Sequence, residues 1–113
     1  MPHIIVEHSI AIEDDVASAL PKIHNTLAGL GPETHKIKTR AVPLKHLVVG
    51  EDDGTLMAHL TLKVWDSPDR TDEKMMSWLE TLVDTLAEEI KSKTVITAEL
   101  VRLNTATYVT KNI

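Results

Sequence analysis

The residues with most to offer chemistry are one proline and a small set of cations. The chain begins MPHIIVEHS, which puts Pro2 directly behind the initiator methionine and in front of an apolar, β-branched run. Removal of a methionine that precedes a small residue leaves Pro2 as a free secondary amine, and an amine held in place by a strand can act as a base. An ordinary α-amino group titrates near pH ~8. Desolvation and neighbouring positive charge lower that value toward the neutral range, where a general base works best. Lys36, Lys38 and Arg40, at alternate positions of HKIKTRAVPL, are cations that could supply such charge. A retained Met1 would leave Pro2 with an amide nitrogen, which is not basic. The bland alternative is that Pro2 merely follows the start codon.

Composition narrows the field around this candidate. The net charge is −5 and the chain holds only three arginines, Arg40, Arg70 and Arg102, which argues against nucleic acid as a partner, since phosphate neutralisation needs clustered cations. Cysteine is absent, so disulfides and thiol chemistry are excluded and a reducing, cytoplasmic location is expected. No apolar run approaches the ~18 residues of a membrane span, and the short first apolar run lacks the basic lead of a secretory signal. The six histidines, His3, His8, His24, His35, His46 and His59, show neither HxxxH nor HxH spacing, so no metal site is expected. A glycine-rich phosphate loop is absent as well.

The elements that must position these residues follow from periodicity. His3 to His8 reads as a strand. Val16, Leu20, Ile23, Leu27 and Leu30 form a helical stripe closed by Gly31-Pro32. Pro21 falls inside that stripe, so either it kinks the helix or the helix starts near Leu20 with Pro21 in its first turn. From His35 to Leu44 residues alternate, with Lys36, Lys38 and Arg40 on one face and Ile37, Thr39 and Ala41 on the other. Glu51, Asp52 and Asp53 mark a solvated turn before TLMAHLTLKVW, whose Leu56, Ala58, Leu60, Leu62 and Val64 share a face while His59 takes the opposite one. Trp65 sits at an interface or at the rim of a site. SPDRTDE then carries helix-start residues, and Met75, Trp78, Leu79, Leu82, Val83, Leu86 and Ile90 make a second helical stripe, with Trp78 and its neighbouring methionines read as core. VITAELVRL reads as a closing strand, and NTATYVTKNI as a short terminal strand or hairpin.

Strand, helix, strand is thus written twice, about residues 1–50 and 55–113, within a single 113-residue domain. The expected fold is α+β: two β-α-β units forming a four-stranded mixed sheet, each helix a right-handed crossover, with both helices on one face. Two helices shield only one side of such a sheet, so the other face calls for burial against further copies of the chain.

On these features the chain resembles the tautomerase superfamily, and within it the 5-carboxymethyl-2-hydroxymuconate Δ-isomerase family. The resemblance runs nearly full length and rests on MPHIIVE, IKTRA, AHLTLKV, the Arg70 of SPDRTDE and the NTATYVTKN tail, in that order and spacing. It implies a homotrimer with sites at subunit interfaces, a cofactor-free proton transfer, and Pro2 as the general base acting on an unsaturated 2-hydroxy or 2-oxo dicarboxylate. It further implies that Arg40, matching the family's strand arginine, clamps a carboxylate and stabilises charge on the dienolate oxygen. Arg70, ahead of the second helix, suits a second substrate carboxylate, and Lys38 shares Arg40's face. The chain departs from the pattern in having no phenylalanine and in placing Val42-Pro43 where bulkier residues are expected, which bears on the substrate more than on the chemistry. Other readings keep the fold and act on 2-hydroxymuconate or a phenylpyruvate-like enol, or dispense with catalysis in a trimer that binds a small acid or a protein partner. No nucleic acid and no membrane is expected among the partners.

Overall fold

A computed structural model describes all residues, 1–113. Its elements are β1 (His3–Ser9), α1 (Glu13–Gly29), β2 (Lys38–Leu44), β3 (Leu56–Trp65), α2 (Asp72–Glu89) and β4 (Thr94–Leu103), with short 3-10 turns at Ile10–Ile12, Thr34–Lys36 and Thr105–Thr107. The sheet order is β2-β1-β3-β4. β1 and β2 are parallel, as are β3 and β4, and the two pairs meet through antiparallel β1 and β3, with Ile4 opposite Leu62 and Val6 opposite Leu60. Each parallel pair is joined by a helix, as a crossover of this length requires. The expected pair of β-α-β units in one mixed sheet is therefore what forms.

Alternation decides which face is buried. Ile4 and Val6 of β1 and Ala58, Leu60, Leu62 and Val64 of β3 are fully buried under the helices, against Val16, Ala19, Ile23 and Leu27 of α1 and Met75, Leu79, Leu82 and Leu86 of α2. Trp78 joins this core, but Met76 points outward and is 48% exposed, so the methionine pair divides between core and surface. The side chains of Thr71 and Lys74 explain where α2 begins: the Thr71 hydroxyl accepts from the Lys74 N–H at 3.2 Å, with Asp72 and Glu73 in the first turn, where acidic groups suit the helix dipole.

One open boundary is fixed and two local expectations are corrected. α1 is continuous through Pro21, beginning eight residues earlier at Glu13, so the helix does not start near Leu20. Val16 and Ala19 on one side and Ile23 and Leu27 on the other are all buried, and that packing outweighs one missing backbone donor at an exposed position. β2 begins at Lys38, because His35 and Lys36 belong to a 3-10 turn in which the Lys36 N–H reaches the Glu33 carbonyl at 3.0 Å. The tail adds no strand: Asn104 caps the Thr105–Thr107 turn, its side chain accepting from the Ala106 N–H at 2.9 Å, and the chain beyond pairs with no strand.

Apart from Tyr108, which packs on His3 and Trp65 at one corner, the second face of the sheet has no cover within the chain. His3, Ile5 and Glu7 of β1, Lys38, Arg40 and Val42 of β2, and His59, Lys63 and Trp65 of β3 all project there by alternation. His59 is engaged on this face, its ring nitrogens 2.7 Å from the Thr97 hydroxyl and 2.9 Å from a Glu99 carboxylate oxygen.

Candidate functional site

The amino-terminal end of β1 lies between the start of β2 and the loop that precedes α2. Pro2 is buried, and its carbonyl accepts the Lys38 N–H at 3.0 Å, which extends the β1–β2 ladder by one residue and fixes the backbone there. The amine of Met1 donates to the Lys36 carbonyl at 2.8 Å. Partial burial, followed by the charges of Lys38, Lys36 and Arg70, pulls that amine below its ordinary value of 8.0. All four influences disfavour the ammonium, the first by removing water and the rest by like-charge repulsion.

A cleft of about 370 Å³ opens beside it, lined by Met1, His35, Lys36, Lys38, Trp65, Thr110 and Asn112. Lys36 is partly neutralised by Glu33 at 3.1 Å, whereas Lys38 forms no ion pair. At the other end of β1 a cavity of about 290 Å³ is walled largely by Ile10, Leu44, Leu47, Val49 and Leu56; it is remote from the amino terminus and has only Lys45 and Asp52 as charges.

Arg70 arrives from a turn closed by its own N–H to the Ser67 carbonyl at 3.0 Å. Its guanidinium lies over the Trp78 ring, 5.8 Å from the centroid, and one terminal nitrogen, Nη1, is buried without a hydrogen-bond partner. Arg102 holds this corner together: it donates to the Arg70 carbonyl at 2.7 Å and to the Asp72 carboxylate at 2.6 Å, tying the end of β4 to the start of α2.

Arg40 goes elsewhere. It does not line the cleft; its guanidinium donates to Nδ1 of His3 at 2.9 Å, and Nε2 of the same ring is 2.7 Å from the Tyr108 hydroxyl. Tyr108 in turn packs edge-on against Trp65, with centroids 4.8 Å apart. Burial first, then Arg40, Lys38, the amino terminus and Lys63, hold His3 below its usual 6.5.

The structure thus brings the amino terminus, Lys38 and Arg70 to one corner, and leaves Arg40 one step removed through His3. His3, Tyr108 and Arg102 carry no assigned role in the sequence reading, and Trp65, expected at an interface or at the rim of a site, lines the cleft. The signal for Tyr108 was slight, that it is the only tyrosine of the chain and stands in the tail.

No protein-family model matches this chain, and no curated protein does. Solved structures match it closely in shape. The 5-carboxymethyl-2-hydroxymuconate isomerase from Deinococcus radiodurans R1 superposes with a TM-score of 0.84 at 19% identity, over 99% of this chain and 90% of that one. A 5-carboxymethyl-2-hydroxymuconate delta-isomerase gives 0.80 at 15% identity, over 99% and 88%. A fused 4-OT, as a symmetric trimer, gives 0.75 at 12% identity, over 89% and 86%. At such identities the fold is what is shared, and the four-stranded mixed sheet of two β-α-β units expected from the sequence is borne out.

Proposed function

We propose that this chain, with the tautomerase-superfamily fold as premise, is a cofactor-free isomerase that moves a proton within an unsaturated 2-hydroxy or 2-oxo dicarboxylate, with 5-carboxymethyl-2-hydroxymuconate as the leading substrate. The observation that carries the proposal is the amine at the head of β1, lowered in pKa beside the cleft by burial and by Lys38, Lys36 and Arg70. Removal of Met1 moves that amine one residue along, onto the Pro2 nitrogen, and opens the volume that Met1 lines. The neutral secondary amine takes a proton from the dienol or from a carbon next to the oxo group, becomes an ammonium, and returns the proton to another carbon of the conjugated chain. The reaction is redox-neutral and the base is regenerated, so protons and electrons balance within substrate and protein.

The cations have separate tasks in this reading. Arg70, partly exposed and placed ahead of the α2 N-terminus, takes one substrate carboxylate. Lys38 supplies charge to a second and depresses the amine. Arg40, held on His3 and outside the cleft lining, adds positive charge to this corner from one step away, favouring the developing dienolate without touching it. A local cationic corner is what draws a dianion to a chain of net charge −5. The uncovered sheet face, with Val42 40% and Val95 53% exposed, supports assembly into a homotrimer, and the lack of cysteine agrees with a cytoplasmic setting.

The test is ultraviolet-monitored ketonisation of 2-hydroxymuconate and of its carboxymethyl homologue, on protein whose intact mass shows Met1 removed, beside Pro2→Ala. Proline-dependent turnover is expected, fastest with the carboxymethyl homologue. Equal background rates in parent and variant on both dienols would overturn the reading and leave a binding role for the same corner.

A further inference from the structure

The contact between Arg40 and His3 has a chemical direction. A guanidinium has only N–H donors, so the nitrogen it meets must present a lone pair. Nδ1 of His3, 2.9 Å away, is therefore the unprotonated nitrogen. The neutral ring then carries its proton on Nε2, and a doubly protonated ring would set an N–H against an N–H. Nε2 lies 2.7 Å from the Tyr108 oxygen, so Nε2–H donates and the phenol oxygen accepts. That is the one hydrogen bond the structure gives this hydroxyl, and its own proton is left uncommitted.

We infer that Tyr108 is a hydrogen-bond donor to a substrate oxygen at the cleft beside Pro2, with Arg40 and His3 as positioning residues that fix its polarity. Its place fits the role: Tyr108 packs on Trp65, which lines the cleft, and Thr110 and Asn112, just beyond it in the chain, line the same cleft. His3, its partner, adjoins Pro2 in the chain. An oxygen that gains negative charge as the amine takes a proton attracts the phenol proton more strongly than the neutral oxygen does, so the contact favours the transition state over the ground state. The reverse arrangement, Nδ1–H with a lone pair on Nε2, would consume the phenol proton in the protein and remove it from the reaction. The low titration of His3, caused by burial and then by Arg40, keeps the ring in the neutral form that this relay requires.

The inference rests on the proposed isomerase reading, and its tests separate the two. Long-range 15N–1H NMR of the neutral imidazoles, with His3 assigned through His3→Gln, reads the tautomer with no substrate present. Nδ1 is expected bare in the parent and in Arg40→Lys, which retains a donor, and protonated in part or whole in Arg40→Met. A His3 Nδ1–H in the parent would overturn the inference whatever the enzyme does. On the dienol turned over, Tyr108→Phe, which keeps the ring against Trp65, is expected to lower kcat by about 100-fold with KM nearly unchanged. Parental kcat in Tyr108→Phe would overturn it. Should neither dienol turn over, the isomerase reading fails by itself, and binding of 2-oxoadipate, a saturated 2-oxo dicarboxylate, takes the place of kcat. Affinity weakened about tenfold in Tyr108→Phe then upholds the donor role, and unchanged affinity overturns it.

Discussion

The backbone N–H of Lys38 donates to the carbonyl of Pro2 at 3.0 Å, so the residue offered as base and the cation that depresses the local amine are held by one rung of the β1–β2 ladder. Neither can shift without breaking the sheet edge. With Met1 removed, kcat/KM is expected to rise with pH along an acid limb centred below the value of an unperturbed amino-terminal proline, since the burial and cations that lower the Met1 amine lie beside Pro2. Lys38→Met removes a like charge that disfavours the ammonium, so the limb moves to higher pH. A limb that stays in place in pH–rate profiles of the two proteins would show that Lys38 does not act on the base.

Stability should also depend on pH through His3. Its folded value is lowered below 6.5, so between the two values the unfolded chain binds a proton that the folded chain does not. Stability is therefore full above 6.5 and falls as pH drops through that window. Urea midpoints measured across this range should decline toward acid in the parent, and less steeply in His3→Gln.

Arg70→Met tests the carboxylate contact apart from the fold. The side chain has a buried nitrogen with no protein partner and retains its packing stem in the variant. KM is expected to rise by about 10- to 100-fold, the range of a lost charge-assisted hydrogen bond, with unfolding free energy changed by less than about 1 kcal/mol.

Arg102→Met should act on stability first and on KM through it. This residue does not line the cleft beside Met1 but ties the Arg70 carbonyl to Asp72 and the end of β4. Loss of two hydrogen bonds made by a charged group is expected to cost about 1–3 kcal/mol in denaturant unfolding, with KM raised because Arg70 loses its anchor.

Pro21→Ala probes the helix that passes through its own breaker. Pro21 is exposed in the middle of α1, so alanine restores a backbone donor without disturbing the core. A gain of about 2 kcal/mol is expected, the ~3 kcal/mol helix penalty of proline less the ~1 kcal/mol by which proline restrains the unfolded chain. An unchanged urea midpoint would mean that α1 has already adapted to the missing bond.

The sequence by itself determined the elements and their buried faces. Alternation set Leu56 to Val64 as a strand and placed Lys38 and Arg40 on one side of another, and the spacing of Met75, Trp78, Leu79, Leu82 and Leu86 made a helix, because side-chain direction repeats with backbone geometry and is written locally. Local pattern failed where packing overruled it. Pro21 reads equally as a kink or as a first-turn residue and lies mid-helix because core residues on both sides hold the turn, and His35 and Lys36 alternate like a strand but close a 3-10 turn. The site itself was legible only as a set of residue types. Which arginine stands beside the amino terminus, and which braces a histidine, depended on how the two units pair across β1 and β3. Only that pairing sets the loop before α2 next to the start of β1, and only the return of the tail over Trp65 brings Tyr108 to His3, 105 residues away in the chain. Contacts at such separations are set by how the sheet is assembled, which no local period encodes.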